Sequence, residues 1–280
     1  MSDLRQFAQN LTDFLDYKKE EGFQGLEISP ETLAAIRNQG SGVRGQKERK
    51  EGSVPKEAKE GSVPYSSNHK IPKLAPTSIE IPKSTVHVSG KTLEEIAGQI
   101  RTCSACPLHQ SRTNTMPGEG NPNRPDILFI GDAPGSEEDK EGRFFVSEAG
   151  QLLDKMIVAM GYKREEIFIT NIVKCRPPGT RIPLPEEMTA CLPYLKAQIA
   201  LIQPKLIVAL GKTAIEGLLQ ETVTITRLRG TWKTFEGIDL MPTFHPGYLL
   251  KVPAKKGEVW ADLKAVLTKL GKEPPARKNG

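Results

Sequence analysis

Across 280 residues, 39 lysines and arginines stand against 34 aspartates and glutamates, a net charge of +5. That mildly basic balance is compatible with a polyanionic partner without establishing one, and no apolar run approaches the ~20 residues of a membrane span. The N-terminus lacks a basic region followed by an apolar core, so a cytoplasmic protein is expected, in a compartment where the four cysteines point to metal or redox chemistry before disulfides.

Residues 2–20 set Leu4, Phe7, Leu11, Phe14 and Leu15 at three- and four-residue spacing, which predicts an amphipathic helix inside an N-terminal segment 1–37. Such a helix folds back on the main domain, stands as a marginal solitary helix, or docks a protein partner in a groove. From 38 to 91 the chain is rich in Gly, Ser, Pro, Lys and Glu and poor in large apolar side chains. It cannot bury enough surface there to offset its ordering entropy, so a disordered linker is expected. Within it Lys-Glu-Gly-Ser-Val-Pro occurs at 50–55 and again at 59–64, too polar to form a stacked repeat. The folded unit is expected over 92–272, with a tail over 273–280.

Thr92-Leu-Glu-Glu opens a helix with capping-box spacing, and a first strand follows at 126–131. A helix over 148–160 turns Leu152, Leu153, Met156, Ile157 and Met160 inward, and a second strand runs Ile167 to Val173. Pro185-Glu-Glu starts a helix that reaches Ile202, where Pro204 ends it. Then come a buried strand from Lys205 to Gly211, a helix at 212–219, a fourth strand from Ile238 to Phe244 and a last helix from Trp260 to Leu270. Strands alternating with helices imply an α/β fold, a three-layer α/β/α sandwich with a central four-stranded, mainly parallel sheet.

Three segments at strand ends carry chemistry. Gly131-Asp-Ala-Pro-Gly runs into an acidic, glycine-rich loop that ends in Phe144 and Phe145, where a backbone can turn tightly around a small planar group. The two aromatics either fill the core from a loop end or face a ligand. Thr170-Asn171-Ile-Val-Lys-Cys175-Arg-Pro-Pro sets a carboxamide at a strand's carboxyl end; Asn171 either turns the chain or reads an imide edge with its acceptor and two donors. Phe244-His245-Pro-Gly-Tyr248-Leu249-Leu250-Lys251 sets a histidine ahead of a proline, in extended backbone. Gly211-Lys-Thr resembles the tail of a phosphate loop, but Leu206 stands where that motif needs glycine.

The cysteines are Cys103, Cys106, Cys175 and Cys191. A pair two residues apart joined by two distant thiols suits a four-thiolate zinc site, a zinc site in which His109 replaces one thiol, or an iron-sulfur cluster; buried unligated thiols are the fourth option. Spacing alone does not choose among them.

Taken in order, Gly131-Asp-Ala-Pro-Gly with Glu-Glu-Asp-Lys-Glu-Gly-Arg-Phe-Phe-Val, Thr170-Asn-Ile-Val-Lys-Cys-Arg-Pro-Pro, and His245-Pro-Gly-Tyr-Leu-Leu-Lys resemble the family 4 uracil-DNA glycosylases over about residues 95–270. The resemblance selects a structural four-iron, four-sulfur cluster (4Fe-4S) on Cys103, Cys106, Cys175 and Cys191. It implies that Phe145 stacks on a flipped uracil, Asn171 bonds its pyrimidine edge and His245 donates to O2. Glu138 would pack near C5, the backbone of Gly131, Asp132 and Ala133 would cup the base, and Asp132 joins Asn171 and His245 as catalytic. Tyr248, Leu249 and Leu250 would wedge the duplex with Lys251 near phosphate.

The implied activity is monofunctional uracil excision from single- or double-stranded DNA by a nucleoid-associated monomer, leaving an abasic site for base excision repair. Family members usually carry Glu at the position of Asp132, so this carboxylate reaches about one methylene less far. The matched motifs hold no lysine placed as a Schiff-base nucleophile, so lyase activity is not expected. A non-catalytic module that binds uracil-containing DNA is the competing class. A covalent trap lacks support, because no arginine-rich insert stands between Gly142 and Gly150.

Overall fold

The computed structural model describes residues 86–179 and 181–275. The helix expected over 2–20, the linker as far as residue 85 and residues 276–280 lie outside them. In chain order the elements are α1 (Leu93–Thr102), β1 (Glu119–Gly120), β2 (Ile127–Gly131), α2 (Ser136–Glu141), α3 (Glu148–Ala159), β3 (Phe168–Asn171), α4 (Pro185–Ile202), β4 (Leu206–Leu210), α5 (Lys212–Leu219), α6 (Ile225–Leu228), β5 (Lys233–Phe235), β6 (Ile238–Thr243), α7 (Pro246–Lys251) and α8 (Lys256–Lys269).

The sheet order is β1-β3-β2-β4-β6-β5. Its four inner strands are parallel, as expected. Two antiparallel edge strands, β1 and β5, extend the expected four strands to six. With two and three residues, they are too short to carry a period-two signal, and their brevity and polar side chains blunt the sheet's edges. Every residue of β2 and β4 is buried, which is why both read as continuous apolar runs.

Alternation within those runs divides the core in two. Leu128 and Ile130 join Ile96, Ile100, Leu195 and Ile199 on one face; Ile127 and Phe129 join Leu153, Ile157, Leu263 and Val266 on the other. Helices α1, α4 and α5 thus cover one face, α3 and α8 the other, and the three layers follow. Val86 and Val88 also pack against the first core. The folded unit therefore begins at least as early as residue 86, not at 92, because the short alternation Val-His-Val is lost in the linker's polar average.

Helix α2 occupies a stretch expected to be loop. It has no apolar stripe because its inward residues are acidic: Glu138 and Asp139 are buried, and Asp139 accepts from the backbone N–H groups of Thr113 and Asn114. Helix α8 starts before Trp260 with a polar first turn, Lys-Gly-Glu-Val.

Away from the strand tips, Asp126 anchors the start of β2. It accepts from Tyr162 Oη at 2.8 Å and pairs with Lys205 and Lys272, each at 2.7 Å. Burial opposes its ionisation, but Lys205, Lys272 and Tyr162 together outweigh that and hold its pKa at about 2. A depressed carboxylate stabilises the fold above its unfolded pKa, and that contribution disappears as pH falls from about 4 towards 2. Since both lysines are about half exposed, screening trims the effect. Asp126→Asn is expected to cost about 1 kcal/mol in urea unfolding at pH 7, and the gap to wild type should close near pH 2.

Candidate active site

Parallel strands present their carboxyl ends on one edge of the sheet, and ligands of open α/β sheets bind there. Gly131 ends β2 directly opposite Asn171, the last residue of β3. Gly211 follows β4, and His245 lies just beyond β6. The side chains converge over the two glycines. A Cβ on Gly131 would stand 2.5 Å from Asn171 Oδ1 and 3.1 Å from Phe145 Cζ. One on Gly211, which adopts φ +92°, would stand 2.9 Å from His245 Cβ and 3.6 Å from Asp132 Oδ1. The Phe145 and His245 rings are 6.4 Å apart and 30° from parallel. Phe145, Asn171, His245 and Asp132, expected together from separate motifs, form one cluster.

Asn171 is 4% exposed, yet no hydrogen bond to its side-chain amide is found among the described residues. A nearly buried carboxamide ordinarily has partners; the acceptor and both donors of this one are uncommitted. His245 Nδ1 accepts the Gly247 N–H at 3.0 Å. In the neutral ring the proton therefore sits on Nε2, which becomes the available donor. Asp132 Oδ1 accepts from the Ala214 N–H at 3.0 Å, fixing the carboxylate at the start of α5. Burial raises its pKa above the usual carboxylate range, against the pull of His245, the Ala214 N–H and the Thr213 hydroxyl.

Phe145 adopts φ +49°, a conformation that costs a bulky residue about 1–3 kcal/mol and persists only where the surroundings enforce it. Two features enforce it here. Gly150 in the first turn of α3 packs so close that a Cβ would meet Phe145 O at 1.7 Å. Arg164 donates to Phe144 O at 2.7 Å and is itself held by Glu119 and Asp154. Gly150, Arg164 and Glu119 are structural supports that sequence patterns do not single out, because each acts through backbone at a distant position. Glu138 Oε1 accepts from the Ser147 N–H at 3.1 Å, and its carboxylate lies against Gly135, so it braces the same segment. Ala133 is partly buried against the first core.

Behind His245 a second network passes unnoticed in the sequence. Buried Asp262 accepts from Thr243 Oγ1 at 2.6 Å and from Arg229 Nε at 3.0 Å. The Thr243 carbonyl in turn accepts from the Gly211 N–H at 2.8 Å. The end of β6 is thereby locked to the turn that carries Gly211.

Residues 246–251 form helix α7, with His245 extended at its start as expected. At about 100° per residue its side chains fan out, which corrects one expectation: Leu249 is 1% exposed and belongs to the second core. Leu250 is 40% exposed and Lys251 is exposed beside it. Tyr248 is partly exposed, its ring 4.9 Å from that of Phe244.

All four cysteines line one cavity, with Arg112, Lys174 and Tyr194 among its other walls. Cys103 and Cys106 are partly exposed; Cys175 and Cys191 are buried. Burial pushes Cys106 up to about 11 and Cys191 to about 12. The sulfurs receive hydrogen bonds from Arg112 to Cys175 at 3.2 Å, from the Lys174 N–H to Cys191 at 3.4 Å and from the Ala105 N–H to Cys103 at 3.5 Å. His109 turns Nδ1 to the Cys106 carbonyl at 2.8 Å. Among the described residues no three His, Cys, Asp or Glu side chains gather closely enough to hold a single metal ion, and no helix is long and apolar enough to cross a membrane.

Comparison with known proteins agrees with this geometry. A sequence model of the Uracil DNA glycosylase superfamily matches residues 117–264. The chain is 47% identical to a type-4 uracil-DNA glycosylase of Thermotoga maritima, over 57% of its own length and 83% of that protein's. It is 44% identical to one of Sulfurisphaera tokodaii, over 62% and 83% of the two lengths. A third, of Archaeoglobus fulgidus, is 37% identical over 66% of this chain and 96% of its own. With the aromatic, amide and imidazole gathered at one end of the sheet and the matches spanning that whole domain, the chain belongs to the type-4 branch of the uracil-DNA glycosylase superfamily.

Proposed function

We infer that this chain excises uracil from DNA by hydrolysing the N-glycosidic bond, leaving an abasic site and free uracil. The observation that carries the reading is the uncommitted Asn171 amide beside the Phe145 ring over Gly131, with the His245 ring 6.4 Å from that of Phe145. A glycosidic bond within a duplex is out of reach, so the nucleotide must leave the stack, at a cost of a few kcal/mol. Phe145 offers the extruded ring a face, and the amide of Asn171 offers donors and an acceptor to its imide edge. Cytosine has a donor where uracil has an acceptor, so its entry leaves buried polar groups unsatisfied. Leu250 and Lys251, exposed on α7, suit the vacated stack and a nearby phosphate.

As the bond breaks, the pyrimidine takes the electron pair and becomes an anion. The Nε2–H of His245 points its dipole at that developing charge, on O2, and needs no proton transfer to stabilise it. Water then adds to C1′ of the oxocarbenium-like sugar and loses its proton. Asp132, fixed by Ala214 beside His245, is the carboxylate placed to assist, and its elevated pKa predicts an acid limb. Activity should fall as pH drops through a value above the ordinary carboxylate range, and Asp132→Asn should flatten that limb while lowering kcat at neutral pH. An unchanged pH profile in the variant would remove the Asp132 side chain from the mechanism.

The four thiols on one cavity and the three N–H groups aimed at their sulfurs support a four-thiolate site, which we read, with the family resemblance, as that of a four-iron, four-sulfur cluster. Cys103, Cys106, Cys175 and Cys191 would hold it, and it would supply a structural cross-link between the end of α1, the segment after β3, and α4. Cys175→Ala is expected to lose most of the bound iron and visible absorbance and to lower the thermal midpoint. An intact spectrum in that variant would exclude cluster ligation by Cys175.

The competing class, a binding module, separates in one assay. A uracil-containing oligonucleotide, single- or double-stranded, is incubated with the protein and then treated with alkali. Excision gives strand cleavage at the uracil position, whereas binding alone gives a shifted band and intact strands.

A further inference from the structure

Lys174 has no part in the chemistry above, yet it is fully buried. Its Nζ donates to the Asn171 carbonyl at 2.8 Å and to Thr170 Oγ1 at 2.5 Å. Thr170 Oγ1 in turn donates to the Pro117 carbonyl, which also accepts from Gln198 Nε2. The other end of the residue belongs to the cysteine cavity: its backbone N–H donates to Cys191 Sγ, and Cys175 follows it in the chain. No carboxylate among the described residues forms an ion pair with this ammonium. A buried cation without a counter-charge is costly. The titratable groups that act on it are Cys191 and Cys175, and a four-thiolate site keeps net negative charge whether it holds zinc or an iron-sulfur cluster. Arg112, on Cys175, is the second cation on that wall.

We propose that Lys174 is a positioning residue that couples occupancy of the four-cysteine site to the orientation of Asn171. The charge of the filled site holds the ammonium between the cavity and β3, and the ammonium holds the end of β3 from which the uracil-reading amide projects. Emptying the site removes the counter-charge, releases the Nζ contacts and frees the Asn171 backbone. The inference rests on the uracil-excision reading and extends it: the cluster acts on base recognition through one side chain.

The test is a coupling cycle on the full chain, with free uracil as the probe and bound iron measured in parallel. Lys174→Met removes the charge at similar length; Thr170→Val removes one Nζ acceptor and keeps the charge. Lys174→Met is expected to weaken uracil binding at least tenfold with affinity for undamaged DNA within twofold of wild type. Chelating iron from the wild type should produce a similar loss, and chelating it from Lys174→Met should add little. Thr170→Val should retain its iron and weaken uracil several-fold. A general loss of fold would lower undamaged-DNA affinity in step, which the proposal does not expect. Uracil affinity within twofold of wild type in Lys174→Met, or equal losses on chelation in both proteins, would overturn it. If Lys174→Met does not fold or load iron, Thr170→Val decides alone: unchanged uracil affinity overturns the coupling and a several-fold loss supports it. Wild-type protein that neither excises nor binds uracil would instead defeat the underlying functional reading.

Discussion

Asn171→Ala is expected to lower kcat/KM for uracil excision about a thousandfold, and His245→Ala about a hundred- to thousandfold, with the fold retained in both. The two side chains do different work. The amide of Asn171 is nearly buried and uncommitted, so its deletion loses recognition in the bound state and leaves the imide edge of uracil unpaired in a dry cleft; KM and kcat should both suffer. His245 acts on charge that exists only as the bond breaks. Its Nε2–H, set by the Gly247 N–H on the opposite nitrogen, is one fixed donor, and removal of one such donor typically costs about 3–4 kcal/mol of barrier. Its effect should fall on kcat. Single-turnover kinetics on a uracil-containing oligonucleotide separate the two patterns. Wild-type kcat in His245→Ala would mean that the leaving anion is stabilised elsewhere.

Much of this site can be read in the chain before any coordinates. Asn171 ends a strand, His245 lies just past one and Phe145 closes the segment that follows another, and strand-helix alternation forces parallel pairing, so these segments must emerge on one edge. The long helices declare themselves by apolar period and by Pro185 and Pro204 at their ends. What escapes is of two kinds. Short elements such as β1, β5, α2 and α7 lack the length to show a period, and α2 hides further because carboxylates, not apolar groups, face inward. The wedge role of Leu249 comes from the resemblance alone; in the short helix α7 its side chain rotates into the core. The second kind is support through backbone. Arg164 binds a carbonyl 20 positions earlier in the chain and Lys174 the carbonyl of Asn171. A carbonyl has no residue identity, so no motif records those contacts.

Gly150→Ala is expected to reduce excision at least a hundredfold, although residue 150 touches no substrate in this reading. The added methyl would lie 1.7 Å from Phe145 O, 2.0 Å from its carbonyl carbon and 2.5 Å from its Cα. Those are backbone atoms, which cannot swing aside as a flexible side-chain end can. Residue 145 must therefore shift by more than 1 Å or the first turn of α3 must unwind. Phe145 already sits at φ +49°, held by Arg164 on the preceding carbonyl, so it has little latitude to shift and stay stacked. Displacement of about 1 Å in a positioning group commonly costs two orders of magnitude in rate, and overpacking of this kind costs about 1–3 kcal/mol of stability. Gly257→Ala supplies the contrast, since a Cβ there meets nothing within 4 Å; it should leave excision unchanged and leave stability the same or slightly higher. Kinetics and thermal unfolding of the two variants side by side check both halves. Near wild-type excision by Gly150→Ala, with the substitution confirmed and the protein folded, would show that the Phe145 ring need not be fixed where it lies, and stacking on a rigid aromatic floor would have to be abandoned as a source of the rate.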